Sequence, residues 1–373
     1  MTLLLYLIVI VANVITGILY RNNIKNRSNA VILFFTYIIV FLLMSGYRNT
    51  SGLSNDLFYT ELEYNNIVNG LVSNYEFGYV FLMKLGGVLH QEFYTYRSII
   101  IGVFLLFLFV AIRKWAPSPH YVIALFSSYL IILSAEQLRY FIAFSIFAIG
   151  LLILLYSNFK CKKMSFLCFT LFASTIHFSF LIYLIFIFGD FSHKTKREKI
   201  IVSVTLLFCL VIFINNNQIP GVSELLESVD NYKVSVYMGQ STNLGFMYPF
   251  VLHMSSILLS FWAIKLISKS EDDELIMRVR NVYKINLLAV IFFPLFMLQL
   301  TFYRLARNLL LLNYFAYSQI RVSKKIDLGK KKIFAFAVWN SVVLWILVDL
   351  FIKTSADALI IPFFTENIFF NFF

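Results

Sequence analysis

A few short polar stretches interrupt an otherwise apolar chain, and they hold the side chains that could do chemistry. In Tyr47-Arg48-Asn49-Thr50-Ser51-Gly52-Leu53-Ser54-Asn55-Asp56-Leu57-Phe58-Tyr59, turn-forming residues carry one guanidinium and one carboxylate. Arg48 could grip phosphate oxygens with its planar fork, and Asp56 could accept a proton. The plainer alternative makes Arg48 a headgroup-facing side chain and Asp56 the cap of a helix opening at Leu57. In Asn74-Tyr75-Glu76-Phe77-Gly78-Tyr79, Glu76 suits a helix start or a sugar ligand equally.

The stretch Ser134-Ala135-Glu136-Gln137-Leu138-Arg139-Tyr140-Phe141-Ile142-Ala143 sets three polar side chains between two apolar runs. Ionisable groups that close to hydrocarbon are costly, so Glu136 and Arg139 point to function, although they are spaced to pair with each other. His177 stands alone in Ala173-Ser174-Thr175-Ile176-His177-Phe178-Ser179. It fits a hydrogen-bonded core histidine, or a group whose charge responds to a nearby phosphate. In Tyr303-Arg304-Leu305-Ala306-Arg307-Asn308, Arg304 and Arg307 share one helical face beside the open amides of a helix start. Two guanidinium groups there would cradle a diphosphate, or anchor the helix to headgroups.

These residues need a scaffold, and the composition says which kind. Sixty per cent of the 373 residues are hydrophobic and 13% are charged, with a mean hydropathy of +0.80. That places the chain in the membrane class and accounts for the net charge of +12 without nucleic acid. A crossing helix needs about 20 apolar residues. Runs 2–20, 30–46, 97–112, 120–135, 139–157, 199–216, 246–267, 282–302, 304–320 and 333–352 qualify. The expected fold is all-α, a polytopic integral membrane protein of about 10 full transmembrane helices. The N-terminal run has no basic n-region or cleavage site, so it is expected to be a first span and not a removed signal.

Charge sets the orientation. Of the 31 Lys and Arg residues, 22 fall in stretches 21–29, 113–119, 158–163, 190–199, 268–284 and 321–332, which the positive-inside rule makes cytoplasmic. Arg48, Lys84, Arg97, Arg139, Lys233, Arg304, Arg307 and Lys353 lie in the alternate stretches and run against that bias, as an outward-facing anion site would require. Both flanks of 164–189 are basic, so this segment is expected to enter and return as two short half-helices turning near Ala173–His177. The run 77–90, broken by Lys84, Gly86 and Gly87, suits an interfacial or re-entrant helix. One membrane domain, 1–373, then carries an outer loop at 47–96 and a second at 217–245. Cys161, Cys168 and Cys209 show no paired spacing, and the histidines no ligand spacing, so neither disulfide, metal nor cofactor is expected.

In this order the polar stretches resemble the EpsG-like family of exopolysaccharide polymerases, relatives of the Wzy-type polymerases. The resemblance covers about 45–310. Its elements are Arg48, Gly52, Asp56 and Tyr59; Glu76, Gly78 and Tyr79; Leu138, Arg139 and Ala143; Ala173 and His177; and Arg304 with Arg307 beside it. Tyr140 stands where the family often has glutamine.

The resemblance implies a multi-pass protein of the bacterial plasma membrane that acts at its outer face. Its substrate would be an oligosaccharide repeat unit on polyprenyl diphosphate, and it would move the growing glycan onto the next such unit in capsule, exopolysaccharide or O-antigen synthesis. Contacts with membrane lipids, and with a flippase or chain-length regulator of the same pathway, would follow. On this reading Arg48, Arg139, Arg304 and Arg307 bind the diphosphate, and Glu76 and Tyr59 contact sugar. Asp56 is the first choice of base, ahead of Glu136 and His177. Direct displacement would invert the anomeric centre. The alternatives are a flippase for the same lipid, an O-antigen-type ligase and an O-acyltransferase using His177; the halves of the chain show no internal repeat of the sort many carriers have.

Overall fold

A computed structural model describes residues 1–19, 27–49, 55–189, 196–217, 245–268 and 273–370. Among them no strand forms, and eight helices are long and apolar enough to cross a membrane. They are α1 (Thr2–Leu19), α2 (Arg27–Gly46), α5 (Phe93–Trp115), α6 (Pro119–Glu136), α7 (Leu138–Tyr156), α10 (Met247–Ile267), α11 (Asp273–Leu298) and α14 (Leu328–Lys353). The chain is a polytopic α-helical membrane protein.

The two other expected spans take different forms. Run 199–216 is α9 (Lys196–Ile214), whose first turn carries Lys196, Arg197, Glu198 and Lys199. Run 304–320 is broken into α12 (Arg304–Arg307) and α13 (Leu310–Val322). The break falls at Asn308 and Leu309, within a stretch that is buried throughout.

The most buried span is the least apolar one. α6 has the lowest hydropathy of the eight and is buried along its whole length, whereas α1, the most apolar, turns most of its surface outward. Lipid solvates Leu and Ile as well as protein does, so it is the serines, tyrosines, histidine and glutamate of α6 that gain from protein neighbours. α1, α2, α5, α7, α13 and α14 all pack against it.

Segment 164–189 is a broken pair, as its basic flanks require. α8 (Lys162–Ile176) has 15 residues, about 22 Å of helix against a hydrocarbon core of roughly 30 Å. His177 then takes extended backbone (φ −148°, ψ 108°), and a 3-10 helix, Phe178–Phe188, packs back against α8.

Between α2 and α5 lie two short helices, α3 (Asn55–Val68) and α4 (Phe77–Val88). Phe77, Phe81, Leu85 and Val88 make an exposed stripe along α4, as an interfacial helix would. After α14, whose last part is wound as a π-helix, a short helix α15 (Ala356–Thr365) leads to Asn367. Asn367 bridges to Tyr47 and donates to the Leu42 and Leu43 carbonyls, closing the end of α2. The expected loop 217–245 falls, apart from its two end residues, outside the described residues, as does Gly52.

Candidate functional site

The hinge between α6 and α7 is a single residue, Gln137, and the polar side chains gather around it. Glu136, fully buried, accepts from the Tyr47 hydroxyl (2.6 Å) and from the Leu57 amide (3.1 Å). One oxygen thus caps the start of α3. Burial, and next the Glu136 charge, raise the Tyr47 pKa, which keeps that hydroxyl a donor.

Gln137 faces both ways. Its Nε2 donates to Asp56 Oδ2 (3.0 Å) and its Oε1 accepts from an Arg307 Nη (3.1 Å). Asp56 is exposed in the first turn of α3. The other Nη of Arg307 donates to Asp349 Oδ2 (3.2 Å) and the Tyr303 hydroxyl (3.1 Å). Asp349 also accepts from Tyr129 and Tyr303, and Arg307 and Asp349 are both buried.

At the second residue of α7, Arg139 pairs with Glu76 at 2.8 Å and lies 4.4 Å from the centre of the Tyr75 ring. The second Glu76 oxygen accepts from the Phe178 amide (3.2 Å), just past the turn between the half-helices. That approach depends on Gly78: a Cβ there would sit 2.3 Å from Thr175 Oγ1 and 2.8 Å from its carbonyl oxygen. His177 meets Ser179 Oγ through Nδ1 (2.9 Å) and sets its ring edge-on to Tyr140. Burial, then the charges of Arg139 and Arg304, push the His177 pKa down to about 3. The imidazole is therefore neutral at ordinary pH.

Arg304 differs from its neighbours. It is half-buried, its Nε has no partner, and it forms no ion pair among the described residues. Lys353, at the end of α14, has its Nζ 3.5 Å from the Tyr303 ring centre and likewise forms no ion pair there. Glu76 offsets Arg139 and Asp349 offsets Arg307, so among the described residues the surplus positive charge rests on Arg304. Tyr140 occupies the space beside it, donating to the Arg304 carbonyl (3.0 Å) and presenting its ring to Arg307. A small pocket lies against the hinge and is lined by Ser134, Gln137, Tyr140, Phe144, Arg307 and Asn308 among others.

Asp56, Glu76, Glu136, Arg139, His177, Arg304 and Arg307 thus gather around one hinge, and two expected site residues face elsewhere. Arg48 donates to the Ser45 and Tyr47 carbonyls and stacks on Tyr94 (3.7 Å). Tyr59 is exposed and meets Phe58 edge-on. Arg97, Asp349 and Lys353 had no assigned role in the sequence. Arg97, fully buried, donates to the Met44, Ser45, Tyr47 and Ala135 carbonyls and ties the ends of α2 and α6 together. Asp349 carried a legible signal, an acid inside an apolar run, which in a membrane is a functional pointer by default.

Residues 31–365 match the sequence model of the EpsG family. No curated protein and no solved structure matches the chain.

Proposed function

The chain belongs to the EpsG family, an exopolysaccharide polymerase-type family, and on that premise we propose that it joins lipid-linked oligosaccharide repeat units at the outer face of the bacterial plasma membrane. The growing glycan leaves polyprenyl diphosphate and is transferred to the next repeat unit, with inversion and without a metal. The observation that carries this reading is Arg304, which forms no ion pair among the described residues and whose charge reaches both His177 and Lys353, as those of Arg139 and Asp56 reach one each.

A sugar diphosphate is already a good leaving group, so the protein has to bind it and meet the charge that develops as the bond breaks. Guanidinium groups fixed beforehand do this without reorganising during the reaction. An acceptor hydroxyl attacks the anomeric carbon, and its proton passes to Asp56. The carbon–oxygen bond to the diphosphate breaks, and polyprenyl diphosphate departs with the electron pair. Arg304 and Arg139 hold the diphosphate. Glu136 and Glu76, with both oxygens engaged by donors of the protein, position α3 and Arg139. Tyr59, exposed on α3, offers a ring face to sugar, and Arg48 secures the end of α2.

Cells lacking the protein separate this reading from a flippase. Single lipid-linked repeats should accumulate on the outer leaflet; accumulation confined to the inner leaflet would assign the chain to transport instead.

A further inference from the structure

Asp349 is out of place in a site built for phosphate, because a buried carboxylate repels an anion. Its surroundings show what it holds. Tyr129 and Tyr303 donate to it, and Arg307 donates at 3.2 Å. The second Nη of Arg307 is 3.1 Å from Gln137 Oε1, and Gln137 Nε2 is 3.0 Å from Asp56 Oδ2. Only one orientation of the Gln137 amide serves both neighbours, since the guanidinium needs an acceptor and the carboxylate a donor. The hydrogen bonds therefore run unbroken from the buried end of α14 through α12 and the α6–α7 hinge to the first turn of α3.

Resting on the polymerase reading, we propose that Asp349, Arg307 and Gln137 form a positioning chain that fixes the Asp56 carboxylate, so that Arg307 serves the base and not the diphosphate. Three features support this. The Arg307 charge is offset by Asp349, whereas Arg304 has no such partner among the described residues. Asp56 is exposed in the first turn of its helix, and among the described residues it is Gln137 that donates to its carboxylate. The fork of Arg307 spans two acceptors at once, which a single ammonium nitrogen does not.

The test is steady-state kinetics of the full chain in lipid nanodiscs with a synthetic polyprenyl-diphosphate repeat unit, comparing wild type, R307K and Q137E. R307K keeps the charge that Asp349 requires. Q137E keeps an acceptor for Arg307 but turns an oxygen toward Asp56. Both should lose about 100-fold in kcat, the scale expected for a misplaced catalytic group, with KM for the lipid donor nearly unchanged. A raised KM at unchanged kcat in R307K would make Arg307 a diphosphate ligand and overturn the chain. Wild-type kcat in Q137E would overturn it equally while leaving the polymerase reading intact. A wild-type protein that transfers nothing removes both together.

Discussion

Arg304 and Arg307 are three residues apart on one helical face, yet their surroundings give them different tasks. Arg307 is enclosed by Asp349, Tyr303 and Gln137, while Arg304 keeps its charge unbalanced beside Lys353. Sequence spacing showed that the pair share a face. It could not show the difference, because the deciding carboxylate arrives from α14, far along the chain. His177 was legible as the residue at a turn, but its charge state was not, since that depends first on burial and then on guanidinium groups from α7 and α12. With its folded pKa held at about 3, well below the ordinary histidine value, protonation costs the native turn. The native state is favoured fully above pH 6.5 or so and loses that advantage as pH falls toward 3. The melting temperature of wild type should therefore drop more between pH 7 and pH 5 than that of His177→Gln. Equal drops would show that His177 is not held neutral.

At the scale of elements, the site is assembled by close approaches that hydropathy does not report. α4 reaches the half-helix turn only because Gly78 has no side chain. Gly78→Ala should cost about 1–3 kcal/mol, since its Cβ meets a Thr175 backbone carbonyl that cannot swing aside. It should also loosen the Glu76 clamp on Arg139. Adding Thr175→Ala removes the hydroxyl clash but not the carbonyl one, so thermal melts should show partial rescue. A Gly78→Ala melt identical to wild type would mean that α4 and α8 do not meet as described. The half-helix pair itself was readable, from basic residues on both flanks and a segment too short for two full crossings. The break at Asn308 was not readable, because 304–320 is apolar enough to span and has neither proline nor glycine to mark an interruption.

Taken whole, the molecule keeps its polar chemistry at one end of a bundle built around α6. The spans were legible because lipid imposes length and apolarity on each. The place of α6 at the centre was foreshadowed by its being the least apolar span, whereas the burial of α7, which is as apolar as the outer spans, was not. What brings α2, α3, α6, α7, α12 and α14 to one place is a set of long-range hydrogen bonds, from Tyr47 to Glu136, Asp56 to Gln137 and Arg307 to Asp349. No local pattern encodes those partners. Belonging to the EpsG family ties the chain to polymer synthesis, and under the proposed function the unbalanced charge of Arg304 is what grips the diphosphate. The most direct measurement is incubation of the purified protein with a synthetic polyprenyl-diphosphate repeat unit and no nucleotide sugar, with products resolved by size. Wild type should give a ladder of lengthening glycans, and Arg304→Ala should slow it by about 100-fold or more. A wild-type protein that leaves the repeat unit unchanged, or an Arg304→Ala ladder as fast as wild type, would contradict the role assigned to this site.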